Sequence, residues 1–324
     1  MLTTFYFDSE LFDDEAIRTQ PLANSALLRS WRHFGCLIDN NLNTKLVMSA
    51  IKNVPPKYYQ DWLMALDSYK KCKVNFETLL ISDFDNFNTS KNTLFLKGIN
   101  TALIPYGYLE LFGKTVCNET NFELITPINI NESVNFIKSE KYAAQDIKST
   151  EDLEEIWDTR FQGLALYTKT ITIIDRFAVK NIIEDYKLNR KTSIELFIDK
   201  LPKDGRKYSI NLYSACDIGG STNLTELKTY LTDILGKKTY YLIGVQDFRI
   251  SLCKNSFFGQ EAHDRMLKFD DHHVIQIGNG LDIFRSSPIL NNTFNVKVPE
   301  STNFDFIYRN LSSNVEPRCR DITP

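Results

Sequence analysis

An α/β fold in two domains is what this sequence predicts, and three observations carry the prediction. The chain has 324 residues, of which 43% are hydrophobic and 24% charged, the composition of a globular chain able to bury a sizeable core. From residue 170 onward, short apolar runs alternate with helix-periodic stretches, the order that builds a largely parallel sheet. Between the two halves lies an acidic segment. From Glu132 to Asp158, eight acids (Glu132, Glu140, Asp146, Glu151, Asp152, Glu154, Glu155, Asp158) stand against three lysines (Lys138, Lys141, Lys148). The expected organisation is a mixed α/β domain over 1–135, a solvated helical connector over 136–162 and a second α/β domain over 163–324.

The elements follow in order. Residues 3–7 are β-branched and aromatic and read as a strand ending at Asp8. Residues 24–34 carry Ala26, Leu27, Leu28, Trp31 and Phe34 at helical spacing, and a short strand over 35–39 follows. A helix over 46–53 is stopped by Pro55-Pro56, and another runs over 58–70. Residues 78–82 read as a buried strand leading into Asp83-Phe84-Asp85, and 115–130 read as extended. Ser149-Thr150-Glu151-Asp152 has the acids of a helix N-terminus. Beyond it, 170–174 is a near-continuous apolar strand, as a strand covered on both faces should be. Helices over 179–186 and 193–201, a strand over 208–213, a helix over 224–235 and strands over 240–245 and 248–253 complete the alternation.

Composition also excludes classes. Net charge is -3, so any anion site is local rather than a chain-wide basic footprint. The six cysteines (Cys36, Cys72, Cys117, Cys216, Cys253, Cys319) contain no CxxC pair, which argues against a zinc ribbon and for reduced thiols. Residues 1–8 lack the basic and apolar regions of a signal peptide, and no run approaches the ~18 apolar residues of a membrane span. The expectation is a cytoplasmic protein.

The chemistry concentrates in residues 263–284. Three of the four histidines fall there (His263, His272, His273), followed by a strand over 274–277 and the turn Gly278-Asn279-Gly280. Phosphodiester cleavage can run through a histidine nucleophile, with an arginine or lysine on the equatorial oxygens and a carboxylate orienting the imidazole. His263, Arg265 and Asp270 have that order, and two residues apart on a strand His263 and Arg265 share a face. Lys268 has the opposite parity and is expected outside this site or beside it, as a further phosphate contact with Gly278, Asn279 and Gly280. The plain alternatives are a buried histidine bracing the turn at 263, surface or turn roles for His272 and His273, and glycines that serve backbone geometry alone. A second local feature runs from Lys180 to Lys207, eight cations against five acids. It suits a phosphate-bearing polymer or an anionic membrane surface, or is simply a solvated face.

The spacing around His263 resembles the phospholipase D superfamily signature, HxK, four residues, Asp, then a Gly-Ser-x-Asn-like turn. It is more similar still to the C-terminal phospholipase D-like domain of MIT (microtubule-interacting and trafficking) domain proteins. His263-Asp264-Arg265, Ile275-Gln276-Ile277-Gly278-Asn279-Gly280-Leu281-Asp282-Ile283-Phe284 and the strand ending Ile174-Asp175-Arg176-Phe177 carry the resemblance, over about 163–312. It implies a phospholipase D-like, sandwich-type sheet with flanking helices in the C-terminal half. The N-terminal half does not resemble an MIT helical hairpin. Arg265 replaces the family's lysine, Asn279 stands where active members have Ser or Thr, and Leu281 where they have Asn. The resemblance therefore implies retained anion affinity with hydrolysis weakened or lost. Active members need two motifs and this chain shows one, so an active form would be a homodimer.

The leading expectation is a phosphate- or phosphodiester-binding protein acting on nucleic acid in a prokaryotic defence or mobile-element setting, with no cofactor. If it is catalytic, it is a nuclease with His263 as nucleophile, Arg265 as phosphate clamp and Asp270 as orienting acid. One alternative is a non-enzymatic module for anionic lipid or a partner protein. Another is a metal-dependent nuclease in the N-terminal domain. Strand-then-acid occurs there at Asp8 and at Asp83 and Asp85, as in small nucleases of the PIN type, whose clustered carboxylates hold Mg²⁺ or Mn²⁺.

Overall fold

The computed structural model describes residues 1–74, 79–111, 117–119, 121–217, 224–236, 243–258, 265–285 and 289–320. It is a mixed α/β structure with two six-stranded sheets, and it divides into two compact units, Met1–Tyr142 and Ala143–Pro324. No helix among the described residues is long and apolar enough to cross a membrane.

In the first unit the strands are β1 (Thr3–Tyr6), β2 (Gly35–Asp39), β3 (Lys71–Lys73), β4 (Thr101–Leu103), β5 (Cys117–Glu119) and β6 (Phe122–Ile125). Their order is β3-β2-β1-β4-β6-β5, all parallel except the antiparallel β5–β6 pair. The aromatic stretch after Thr4 builds the core: Phe5, Phe7 and Phe12 meet Trp31 and Trp62 edge to face. Both indole N–H groups are satisfied, Trp62 on Asn24 Oδ1 at 2.8 Å and Trp31 on the Lys70 carbonyl at 2.9 Å. The chain turns from β1–β3 to β4 beside β1, so the carboxyl ends of β1 and β4 flank the point where such sheets leave a crevice.

The strand expected over 78–82 does not form in its described part. Ile81–Asp83 is a single 3₁₀ turn. Its backbone groups are taken by side chains from the end of β1: the Tyr6 hydroxyl donates to the Leu79 carbonyl, and Asp8 accepts from the Ile81 amide. A strand has no ladder left to join. The extended reading of 115–130 also stops short, because 127–132 is a 3₁₀ segment entered at Pro127.

In the second unit the strands are β7 (Thr170–Ile174), β8 (Tyr208–Ala215), β9 (Val245–Cys253), β10 (Arg265–Phe269), β11 (His273–Ile277) and β12 (Phe294–Lys297). The order is β12-β11-β10-β7-β8-β9. The sheet is half parallel rather than largely so: β7, β8 and β9 run together, while β10, β11 and β12 are antiparallel neighbours. The physical reason is the tight turn over 270–272, which folds β10 and β11 into a hairpin. Half of the strand expected over 240–245 lies outside the described residues, and 245–253 is one strand.

The acidic segment is not a solvated connector. Val134–Ala144 is a helix, and Asp152 caps the next one by accepting from the Glu155 amide. Trp157, Arg160 and Phe161 are then buried in the second unit's aromatic core against Phe197, Phe284 and Phe294. Arg160 is fully buried, and its charge is met by Glu151 at 2.7 Å. The acids line the outer face while the apolar residues between them face inward.

Candidate functional site: a buried ion-pair network at the Arg265 end of the hairpin

The hairpin brings the two halves of the 263–284 stretch together. Arg265 opens β10 opposite Ile277, the last residue of β11, so the turn at Gly278 begins beside it. On the other side β10 pairs with β7, Met266 opposite Ile174, which places Arg265 next to Asp175. Asp175 is fully buried just past the carboxyl end of β7. Its Oδ1 accepts from the Phe177 amide at 3.0 Å and its Oδ2 from the Leu281 amide at 3.0 Å. Arg265 Nε lies 3.4 Å from Oδ1, and the guanidinium sits over the Phe177 ring at 5.0 Å.

The network continues outward. Arg265 Nη1 faces Asp282 Oδ2 at 3.7 Å and makes no hydrogen bond. Asp282 Oδ1 accepts from Asn181 Nδ2 at 2.6 Å and stands 3.7 Å from Arg285 Nη1. Arg285 in turn donates from Nε to Asp185 Oδ1 at 3.1 Å. Burial pushes the carboxyls of Asp175 and Asp282 up, and the Arg265 charge pulls both back. Three carboxylates thus hold two guanidinium groups at one end of the sheet.

Two glycines make the approach possible. Gly280 has φ +57, and a Cβ there would lie 2.2 Å from Asp175 Oδ2 and 2.3 Å from Arg265 Cδ. At Gly278 a Cβ would lie 2.8 Å from Asn292 Oδ1 and from Thr293 Oγ1. Two backbone amides of this turn are committed internally: Gly278 N–H donates to the Thr293 carbonyl at 3.2 Å and Asn279 N–H to Asn292 Oδ1 at 3.0 Å. Neither amide is a phosphate donor, so the expected cradle of Gly278, Asn279 and Gly280 shapes the site rather than donating from those two positions.

Of the expected trio of His263, Arg265 and Asp270, Arg265 and Asp270 are not brought together. His263 and Asp264 lie outside the described residues. Asp270 sits beyond the far end of β10, five residues or about 16 Å of strand from Arg265. It has φ 47, and its Oδ1 accepts from the amides of Lys169 and Thr170 at 3.0 and 2.9 Å. It pins the hairpin turn. Lys268 also points elsewhere, over the Phe304 ring at 5.4 Å and between Asp271 at 3.0 Å and Asp305 at 3.1 Å. With Asp270 it lines a separate cleft of about 230 Å³ beside Thr172 and Tyr308. His272 is in the turn, while His273 is buried at the start of β11 rather than on the surface. The residues that the sequence reading did not assign to the site are Asp175, Asn181, Asp185, Asp282 and Arg285. The strand-then-acid pattern at Ile174-Asp175, the same as at Asp8, was the available signal.

The Lys180–Lys207 stretch is largely self-neutralised. Lys180 pairs with Glu184, Lys191 and Lys203 with Asp199, Lys200 with Glu154 and Arg206 with Asp204. That is the solvated-face reading of this charge run.

In the first unit, Asp8 is buried with both oxygens occupied, Oδ1 by the Glu10 amide at 2.8 Å and Oδ2 by the Ile81 amide at 2.6 Å. Asp83 accepts from the Leu80 amide at 3.3 Å, and Asp85 is exposed. Among the described residues no group of three or more His, Cys, Asp or Glu side chains is placed to hold a metal ion, so Asp8, Asp83 and Asp85 do not form the expected Mg²⁺ or Mn²⁺ site. Asp8 satisfies backbone amides at a chain crossing and Asp83 caps its own turn, the ordinary work of a carboxylate at a strand end. A cleft of about 530 Å³ at the carboxyl ends of β1 and β4 is lined by Glu10, Asp13, Asp14, Glu15, Tyr106 and Tyr108.

Burial pushes the Asp8 carboxyl from 3.8 up to about 6, against the pull of its amide donors. The folded state then holds its proton more tightly than the unfolded one, so the stability that Asp8 contributes is fully present at low pH and is lost as pH rises from 3.8 to about 6. Unfolding in denaturant across that window should show wild type losing stability relative to Asp8→Asn as pH rises. An identical slope in both proteins would remove Asp8 as its origin.

No family model matches this chain, and no curated protein matches it.

Proposed function

We propose that the C-terminal unit is a phospholipase D-like module that binds the phosphodiester backbone of nucleic acid without hydrolysing it. The observation that carries this reading is Arg265, a guanidinium held rigidly at the end of β10 with a donor, Nη1, left without a hydrogen bond. Arginine is the side chain best suited to a phosphate, because its planar fork matches two oxygens at once. What supports binding over cleavage is the position of Asp270, which is committed to the hairpin turn and so is not the acid that would orient His263. The departures at Asn279 and Leu281 from the active-site pattern point the same way. A prokaryotic defence or mobile-element setting, a homodimer and a cytoplasmic location belong to the same proposal.

The test is a gel shift of DNA and RNA oligonucleotides by the full chain, with anionic vesicles as a parallel arm. His263→Ala and Arg265→Ala should each weaken oligonucleotide binding by about tenfold or more, the order of one charge-assisted phosphate contact. EDTA should change nothing. Binding unaltered in both variants, with the fold intact by circular dichroism, would sink the reading. Vesicle binding without oligonucleotide binding would replace it with a lipid-binding module.

A further inference from the structure

We propose that Arg265 and Arg285 form a two-arginine clamp for one phosphodiester group of nucleic acid, and that the Asp282 carboxylate is its built-in occupant, displaced by the ligand. The inference rests on the phosphodiester-binding reading above and names the groups that make the contact. Each arginine is held along one edge by a buried acid, Arg265 by Asp175 through Nε and Arg285 by Asp185 through Nε and Nη2. The Nη1 ends of both are left facing one shared carboxylate. Asp282 stands 3.7 Å from each, too far for a hydrogen bond, with Oδ2 toward Arg265 and Oδ1 toward Arg285. One carboxylate bridging two guanidinium groups at ion-pair distance leaves their donors under-used. A tetrahedral phosphate is larger and offers oxygens in more directions, so it can meet both Nη1 groups at hydrogen-bond distance.

The arrangement is reachable and has a resting place for the displaced group. The side chains of Arg265, Asp282 and Arg285 are 14%, 26% and 28% exposed and the Arg265 Nη1 atom is itself buried, so a ligand enters from the Asp282–Arg285 side and meets Nη1 once Asp282 has turned away. Asn181 already donates to Asp282 at 2.6 Å and can keep hold of it when the carboxylate turns away from the arginines. With Asp282 in place the network carries three negative and two positive charges, and it repels polyanions. With Asp282 neutral, the charges balance and both Nη1 groups are free to take a phosphate. Asp282 therefore sets a threshold that weak or isolated anions do not cross.

The experiment is fluorescence anisotropy of a labelled DNA or RNA oligonucleotide with the full-length chain and its variants. Asp282→Asn, which keeps an acceptor for Asn181, should bind about tenfold more tightly than wild type, a difference of about 1.4 kcal/mol. Arg285→Gln should weaken binding, and Asp282→Asn combined with Arg285→Gln should lose the gain. Asp158→Asn removes the same charge from an exposed site and should shift affinity far less, the more so as salt is raised. If Asp282→Asn is not folded by circular dichroism, Asp282→Ser takes its place. Wild-type binding with Asp282→Asn unchanged or weaker would overturn the clamp and leave the phosphodiester reading standing. Absence of binding by wild type and Asp282→Asn alike would overturn both.

Discussion

Gly280→Ala should destabilise the C-terminal unit by at least ~3 kcal/mol, near the upper end for a single methyl group. Two costs add. The residue sits at φ +57, a region an L-residue enters at a cost of about 1–2 kcal/mol. The new Cβ would also lie 2.2 Å from Asp175 Oδ2 and 2.3 Å from Arg265 Cδ. Asp175 cannot step aside, because both of its oxygens hold backbone amides in a fully buried position. At ~2–4 °C per kcal/mol for a unit of this size, the thermal midpoint should fall by about 10 °C. Gly205→Ala is the matched control: φ is +91 there, but nothing lies within 4 Å of the added Cβ. It should lose only the backbone part, about 1 kcal/mol. Equal losses in the two variants would show that the ion pair under Gly280 yields freely.

Asp175→Ala should cost about 3–5 kcal/mol, the range for removing one partner of a buried ion pair. The variant leaves the Arg265 Nε edge without its carboxylate and strands the amides of Phe177 and Leu281. Asp175→Asn should fall between this and wild type, since one amide acceptor survives while the charge does not. Denaturant unfolding measures both. A loss below ~1 kcal/mol for Asp175→Ala would mean that burial of the charge already cancels the worth of the pair. Oligonucleotide binding adds a second readout. Asp175→Asn should bind worse than its stability alone explains, because Arg265 loses the group that aims it. Asp175 acts here as a positioning residue, and unchanged affinity in folded Asp175→Asn would remove it from the site.

Much of the fold was legible in local pattern because local pattern follows from backbone sterics and burial. The aromatic run after Thr4, the helix ending at Gly35, the apolar 170–174 strand and the Asp152 helix cap all have causes within a few residues. The strand expected over 78–82 failed for a non-local reason. Ile81 lies 73 residues from Asp8, and no periodicity in 78–82 reports that a carboxylate just past β1 takes its amide. The connector failed similarly: its acids are visible in the sequence, but the burial of Trp157 and Phe161 depends on Phe284 and Phe294 more than a hundred residues on.

By itself, the sequence determined the mixed α/β class, the elements with local causes, and the concentration of chemistry-bearing residues between 263 and 284. Only the tertiary structure decided which acid accompanies Arg265. Along the chain Asp270 is the near choice, but a strand carries residue 270 away from residue 265 at about 3.3 Å per step. Pairing of β10 with β7 instead delivers Asp175 from ninety positions earlier, with Met266 opposite Ile174. The hairpin register then adds the turn at Gly278–Gly280, which carries Asp282 and Arg285 to the same end of the sheet. Strand register is set by which faces are buried across the whole sheet. The composition of this site is therefore a property of packing, and no spacing within 263–284 contains it.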